Sequence, residues 1–224
     1  MLKHVVQSGI DTALILEDDV DWDVTLKVQI RLVSDAVRNL TSVLASDPSP
    51  YGHDWDILWI GHCGERTDLD TVRVEFPDPT VPIHANYTGW SQEYQKNIGE
   101  GHRLVQHGID PVCTFAYAVT KQGAQNVLRW AGSGQNEAFD IRLMEGCMHK
   151  VLKVVSVQPE IMHHYTPPHD AGYWSDVNVG DGKGVVSEDA QFDSVMGGTE
   201  NILNSTRCKI LFDSTCLKPF REQW

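Results

Sequence analysis

An apolar run that ends abruptly in acidic residues limits most strongly what this chain can fold into. Residues 13–16 read ALIL, and they are followed directly by the three acids Glu17, Asp18 and Asp19. A short apolar run of this kind is typical of a buried strand. In α/β proteins, ligands bind at the edge of the sheet where strands end. The sequence therefore predicts a strand that brings several carboxylates to one edge of a sheet.

Carboxylates on neighbouring residues repel one another unless a cation lies between them. Two unit charges about 4 Å apart repel by roughly 4 kcal/mol at an effective dielectric constant of about 20. Oxygen ligands of this type suit Mg²⁺, Mn²⁺ or Ca²⁺ rather than zinc. We therefore expect a divalent-cation site at this turn. The alternative is an ordinary acidic loop in an acidic protein.

Two known carboxylate motifs match some of these residues but fail at other positions that the motifs require. Asp19, Asp21 and Asp23 match the start of an EF-hand loop, but Val24 and Ile30 stand where that loop needs Gly and Glu. An Asp-x-Asp-x-Thr phosphatase motif begins at Asp21, but in such phosphatases the first Asp follows the strand directly, and here three acids intervene. The pattern fits best the carboxylate-rich turn of GT-A-type glycosyltransferases, where a metal bridges the nucleotide diphosphate.

Composition excludes several classes of partner. The formal net charge is −13, from 18 basic and 31 acidic residues, which argues against nucleic acid and anionic membrane surfaces. No stretch approaches the 20 or so apolar residues of a membrane-spanning helix, and residues 1–12 do not read as a signal peptide. At 224 residues with 41% hydrophobic content, the chain fits one domain, or one domain with a tail.

The glycosylation sequons lean toward a secretory lumen, a compartment in which the cysteines could form disulfides. None of the five cysteines forms a Cys-x-x-Cys pair, so we expect no structural zinc site. Three Asn-x-Thr sequons are present, at Asn39, Asn86 and Asn204. Two interpretations of the cysteines stay open: disulfides that pair Cys208 with Cys216 and Cys63 with Cys113, or free buried thiols.

Strand-like and helix-like segments alternate along the chain, which predicts an α/β sheet. We expect helices over residues 2–8, 24–45, 121–131 and about 138–149, and strands over residues 13–16, 56–60, 113–119 and 151–157. The second strand ends in a tight GHCGE turn. Asp23 is a natural N-cap for the long helix, so it is left out of the metal site. Trp55, Trp59 and Trp130 lie in or beside apolar segments and are expected in the core.

Four segments together resemble glycosyltransferase family 25, which includes bacterial lipooligosaccharide and collagen galactosyltransferases. The four segments, which span about residues 10–180, are ALILEDDVDWD at 13–23, CTFAYAVTKQGAQNVL at 113–128, AFDIRLM at 138–144 and HYTPPHDAGYWSD at 164–176. The resemblance implies a GT-A-like (Rossmann-like) domain over residues 1–180, with a mainly parallel sheet flanked by helices, and an irregular tail over residues 181–224. The family's N-terminal nucleotide-binding unit would precede the first helix, so the chain resembles a version truncated at its N-terminus.

The resemblance also implies roles for individual residues. Glu17, Asp18 and Asp19 match the acidic motif that contacts the donor. Asp19 is the first choice as metal ligand and Asp21 the second. A late histidine, His164, would complete the metal shell, although a hydrogen-bonded surface histidine is an equal alternative.

Two further carboxylates are candidate catalytic groups. Asp140 is either the general base that deprotonates an acceptor hydroxyl or the cap of its helix. Asp176 lies near donor or acceptor in this interpretation, or it simply forms a turn. Trp90, Tyr173 and Trp174 fall in predicted loops and are candidates for contacts with the acceptor sugar.

The resemblance implies a metal-dependent, inverting transfer of a sugar, with galactose as the first choice. The donor would be a UDP-sugar with Mn²⁺ or Mg²⁺, the acceptor a glycan or glycoprotein, and the compartment the Golgi or ER lumen or the exterior. Two alternatives remain open. One is a catalytically incomplete domain that binds glycan, and the other is a phosphatase that uses Asp21 as nucleophile.

Overall fold

The computed structural model describes residues 1–134, 137–166 and 195–217. Strands and helices alternate in the first two of these ranges. The strands are β1 (Thr12–Leu16), β2 (Val20–Trp22), β3 (Ile57–Gly61), β4 (Arg73–Pro77), β5 (His102–His107), β6 (Ala116–Thr120), β7 (Val154–Gln158), β8 (Met162–Thr166) and β9 (Gly198–Thr199). The α-helices are α1 (Leu2–Ser8), α2 (Leu26–Leu40), α3 (Lys121–Ala131), α4 (Phe139–Met148) and α5 (Thr206–Phe212), and 3₁₀ helices cover His84–Asn86 and Trp90–Asn97.

Six strands form the main sheet in the order β1-β6-β3-β7-β5-β4. The predicted α/β class is confirmed, but the prediction of a mainly parallel sheet is wrong. Among the neighbouring pairs of described strands in this sheet, β3 and β7 are parallel and the other four pairs are antiparallel. Cys113, just before β6, is joined by a disulfide to Cys63, just after β3. Because β6 starts beside the end of β3, it runs back against β3.

Helices pack on both faces of this sheet because its central strand is apolar on both sides. All five residues of β3 are buried. Ile57 and Trp59 pack with α1, α3 and α4 on one face, while Leu58 and Ile60 pack with α2 on the other, as expected when side chains alternate along a strand. The prediction that Trp55 lies in the core is also confirmed, since this side chain is fully buried.

A second, smaller sheet has the order β2-β8-β9. Residues 195–217, which fall within the predicted irregular tail, contribute β9 and α5, and α5 packs against β2. A disulfide between Cys208 and Cys216 closes this segment. Of the two interpretations left open for the cysteines, the structure shows the two disulfides, while Cys147 is a buried free thiol. Two disulfides are typical of extracellular or lumenal proteins.

Membrane-crossing helices need both length and apolar composition. Across the three described ranges, no helix has enough of both to cross a bilayer. The longest of them, α2, has 15 residues, and about 20 are needed.

Candidate functional site: an acidic edge of the main sheet

The acidic turn after β1 lies at the edge of the main sheet where three strands end. β1 and β3 both pair antiparallel with β6, and β3 is parallel to β7, so β1, β3 and β7 run in the same direction. The acids Glu17, Asp18 and Asp19 follow β1, and the turn over residues 61–65 follows β3. The sequence-based prediction that carboxylates come out at a sheet edge is thus confirmed. We call Glu17, Asp18, Asp19 and Asp140 the acidic edge.

Hydrogen bonds to the segment just before β6 hold both Glu17 and Asp140, because the Glu17 N–H donates to the Phe115 carbonyl at 3.0 Å and the Asp140 carboxylate accepts from the Cys113 N–H. Burial is the largest cause that raises the pKa of Glu17, and a hydrogen bond of 2.9 Å from the Thr114 hydroxyl to Glu17 Oε1 opposes it. The charges of Asp19, Asp140 and Asp18 then raise the pKa of Glu17 further. This is the effect of like charges that share one site. An added cation would relieve that repulsion.

Asp140 reaches the acidic edge from the start of α4. Its Oδ2 accepts a hydrogen bond of 3.1 Å from the backbone N–H of Cys113, just before β6. The N-cap of α4 is Ala138, not Asp140, which occupies the first turn, where a negative charge suits the helix dipole. The side chain of Asp140 thus bonds to another segment rather than capping its own helix. The disulfide between Cys63 and Cys113 attaches that segment to the end of β3.

The aromatic pair Phe139 and Tyr117 lies beside the acidic edge, whereas Trp90 lies against Gly64 in the segment after β3. Phe139, directly before Asp140, is 42% exposed, and its ring lies 6.4 Å from that of Tyr117 on β6. Burial, with the charge of Glu17, raises the pKa of Tyr117 to about 12, so the phenol stays neutral. Trp90 is 48% exposed and packs edge-on against Tyr94. An exposed ring beside carboxylates can stack on the apolar face of a sugar.

Three of these residues were not predicted from the sequence. Thr114, Tyr117 and Phe139 lie in segments that resemble the transferase family, but no motif marks them individually. Because β6 runs antiparallel to β1, its first residues rather than its last lie beside the acidic turn. The register that pairs Ile15 with Tyr117 fixes this arrangement.

Asp21 has a structural position. It is 2% exposed, and its carboxylate accepts hydrogen bonds from the backbone N–H groups of Trp22 (2.8 Å) and Arg207 (3.2 Å) and from the Ser205 hydroxyl. These bonds attach the start of α5 to β2. A nucleophilic aspartate must reach its substrate, so this geometry gives no support to a phosphatase, and Asp21 is not part of the site proposed below.

Asp23 is also buried, but it is not the helix cap that the sequence suggests. Its Oδ1 accepts from the backbone N–H and the hydroxyl of Thr25, at 2.8 and 2.6 Å, and its Oδ2 accepts from the backbone N–H of Asn204 at 3.0 Å. Thr25 itself is the N-cap of α2. Asp23 therefore shapes the turn before the helix and joins it to the segment before α5.

Asp19 and His164 lie on neighbouring backbone segments. The β2–β8 pairing sets His164 opposite Val20, and Tyr165 N–H donates to the Asp19 carbonyl at 2.7 Å. The His164 ring packs 5.2 Å from that of Phe115, and its Nε2 lies 2.8 Å from the Thr166 hydroxyl. In the part of the chain that the structure describes, no three His, Cys, Asp or Glu side chains form a ready metal cluster. Asp176, Tyr173 and Trp174 lie outside the described residues.

A buried carboxyl supports the end of β7 next to this region. Glu160 is 1% exposed and accepts hydrogen bonds from Tyr87 Oη (2.9 Å) and Asn201 Nδ2 (2.7 Å). Burial raises the pKa of Glu160 to about 7. The Glu160 side chain joins β7, the loop before Trp90 and the segment after β9, so it holds three separate parts of the chain together.

A search against models of protein families finds no match to the chain.

Proposed function

We propose that this protein is a metal-dependent glycosyltransferase that moves a sugar, with galactose the first choice, from a UDP-sugar to a hydroxyl of a glycan or glycoprotein. One observation carries the proposal: residues 113–115 bond both Glu17, the first of three consecutive acids after β1, and Asp140, at the edge of the sheet where β1, β3 and β7 end. Ligands of α/β proteins bind at such edges. A diphosphate would be repelled by this cluster unless a divalent cation came with it.

The residues present fit Mn²⁺ or Mg²⁺ by the chemistry of their donor atoms. Carboxylate oxygens are the ligands that these cations prefer, and Mg²⁺ is commonly held by one or two carboxylates together with substrate phosphates. The site thus needs no third protein ligand. Asp19 is our first choice to hold the cation, with Asp18 and Glu17 beside it, and His164 on the neighbouring strand stays a candidate. When bound, the cation would neutralise the diphosphate that leaves.

The chain's own groups would orient and activate the acceptor. We assign Asp140 as the general base that takes the proton of the attacking hydroxyl, so that the hydroxyl displaces UDP in line and the configuration inverts. The N–H of Cys113 orients one oxygen of this carboxylate. Phe139 and Trp90 offer exposed rings on which an acceptor sugar can stack. Tyr173, Trp174 and Asp176 keep the roles that the family resemblance implies.

The two disulfides support a lumenal or extracellular setting for this activity. Galactosylation of glycans and glycoproteins in the secretory lumen fits that setting. We therefore place the proposed activity in the Golgi or ER lumen.

Replacement of Asp140 by asparagine tests the assignment of the base. We expect kcat for transfer from UDP-galactose to fall by about 10²- to 10⁴-fold, the usual contribution of a general base. Asparagine keeps a side-chain oxygen that accepts from Cys113 N–H, so the fold should be unchanged. The measurement is UDP release with Mn²⁺ and a panel of glycan acceptors, with UDP affinity measured in parallel.

The matched control is Asp35→Asn, which makes the same change on the exposed surface of α2. Its kcat should equal that of the wild type. Full activity in Asp140→Asn would contradict the assignment of Asp140 as the general base. Absence of metal-dependent turnover of any UDP-sugar by the wild type would contradict the transferase proposal and leave the non-catalytic glycan-binding alternative.

A further inference from the structure

The asparagines that the structure describes fall into two groups. Those within Asn-x-Thr sequons have exposed side chains, and their amides make no hydrogen bond within the described ranges; they are Asn39, Asn86 and Asn204. Those outside sequons are less exposed, and each donates from Nδ2: Asn97 to Thr67 O, Asn126 to Asp56 Oδ1, and Asn201 to Thr88 O and Glu160 Oε1. Among the described asparagines, those in sequons are therefore the same ones whose side chains are exposed and unbonded.

This coincidence matters because an N-linked glycan is attached through Nδ2. The bond replaces one hydrogen of the amide and places a bulky, hydrated group beside the side chain. Asn201 donates both of its amide hydrogens inside the protein, at 3.0 and 2.7 Å, so it has none to give up. By contrast, the side chains of Asn39, Asn86 and Asn204 are exposed, and none of the residues that the structure describes bonds their amides.

The backbone at each of the three positions is held in place although the side chain is free. Asn39 lies in the last turn of α2. Asn86 ends the 3₁₀ helix His84–Asn86, and its N–H donates to Ile83 O at 2.8 Å. Asn204 is fixed on both sides, because its N–H donates to Asp23 and its carbonyl accepts from Val24 N–H at 3.0 Å. A glycan at any of these positions would project from a rigid surface without disturbing a contact.

We propose that Asn39, Asn86 and Asn204 carry N-linked glycans. In the transfer, the bond between the anomeric carbon of a lipid-pyrophosphate-linked oligosaccharide and its phosphate oxygen breaks. The same carbon bonds to Nδ2, which loses a proton, and the lipid pyrophosphate leaves. The two disulfides are an independent indication that the chain folds in an oxidising compartment of the secretory type, where this transfer occurs. The assignment does not depend on the proposed transferase activity.

The test is to secrete the full chain from a eukaryotic host behind a cleavable signal and to map its glycans. Peptide N-glycosidase in ¹⁸O-labelled water converts each glycosylated Asn to a labelled Asp, which mass spectrometry locates. We expect label at all three positions and a fall in intact mass after the enzyme treatment. A secreted, disulfide-bonded protein without label would overturn the proposal, and an unlabelled Asn at one position would remove that position.

A matched pair of variants checks that the sequon directs the label at Asn204. Thr206→Ala should lose that label alone, and Thr206→Ser, which keeps the hydroxyl, should retain it.

A second pair of variants separates glycan sites from structural asparagines. Asn86→Gln should unfold at the same urea midpoint as the deglycosylated wild type, whereas Asn201→Gln should unfold earlier. Label at Asn204 in Thr206→Ala would contradict the assignment, as would destabilisation of Asn86→Gln equal to that of Asn201→Gln.

Discussion

Replacement of Arg103 by methionine should lower the free energy of unfolding by about 3–5 kcal/mol, the usual cost of breaking a buried ion pair from one side. Arg103 and Asp78 are each 1% exposed, and Arg103 Nε donates to Asp78 Oδ2 at 2.7 Å. The guanidinium also donates to the carbonyls of Pro159 and Glu160. Methionine fills much of the volume, but it leaves the Asp78 carboxylate and two carbonyls without these donors.

Urea unfolding of Arg103→Met and of Asp54→Ala measures this effect against an exposed pair. Asp54 forms an ion pair with Lys153 in which both side chains are about two-thirds exposed. Such pairs contribute about 0–1 kcal/mol, so Asp54→Ala should change little. An Arg103→Met variant as stable as Asp54→Ala would contradict the account of the buried pair.

The same ion pair gives stability a defined dependence on pH. Burial alone would raise the pKa of Asp78, but the charge of Arg103 and hydrogen bonds from Thr80 outweigh it and hold this pKa below its ordinary value. A carboxyl with a lowered pKa in the fold contributes stability that is present above its unfolded pKa of about 4 and is lost as pH falls through the lower folded value. In Arg103→Met this acid-sensitive contribution should shrink.

Removal of the disulfide between Cys63 and Cys113 should cost more stability than removal of the second disulfide. The first spans 50 residues of sequence and the second, Cys208–Cys216, spans 8. The chain-entropy relation gives about 4 kcal/mol for the longer loop and about 2–3 kcal/mol for the shorter one. Urea unfolding of the two double Cys→Ala variants measures the difference directly.

The longer disulfide has a further consequence for the acidic edge. Cys113 has a positive φ of 65°, and its N–H orients Asp140. Loss of the disulfide removes a constraint on this left-handed residue. The Cys63/Cys113 variant should therefore lose turnover of the UDP-sugar at a lower urea concentration than the one at which it unfolds, and the Cys208/Cys216 variant should not.

Equal losses of stability in the two double Cys→Ala variants would contradict the argument from loop length.

The sequence predicted those parts of the fold that depend on local pattern. β3 and the acidic turn follow from apolar runs that end in polar residues, and α1 spans the predicted residues 2–8, with Gly9 at φ 71° as its C-cap. β1 also forms, but the prediction that it is buried is wrong, because it is the edge strand of the sheet and only its Ile15 is buried. Strand direction was predicted wrongly because an apolar run reads the same in both directions. The antiparallel course of β6 is set by its pairing with β1 and β3, which are distant from it in sequence.

Contacts between distant segments also explain what the sequence could not show about the site. Asp21 looked like its immediate neighbours in the motif, but Ser205 and Arg207, more than 180 residues later, bond its carboxylate and bury it. Asp140 is held at this edge by its bond to Cys113, 27 residues earlier in the chain. Identity of residue type locates a candidate, whereas long-range pairing decides which candidates share a site.

Calorimetric binding of UDP with and without Mn²⁺ tests most directly the claim that the acidic edge binds a nucleotide diphosphate through a cation. The variants are Asp19→Asn and, as control, Asp11→Asn, which removes one exposed carboxylate just before β1 rather than after it. The account predicts Mn²⁺-dependent binding by the wild type and Asp11→Asn. It predicts an affinity at least about 10-fold lower in Asp19→Asn, since residues that merely support metal ligands already change affinity by about 10–100-fold. No Mn²⁺-dependent binding by the wild type, or equal affinity in the two variants, would contradict it.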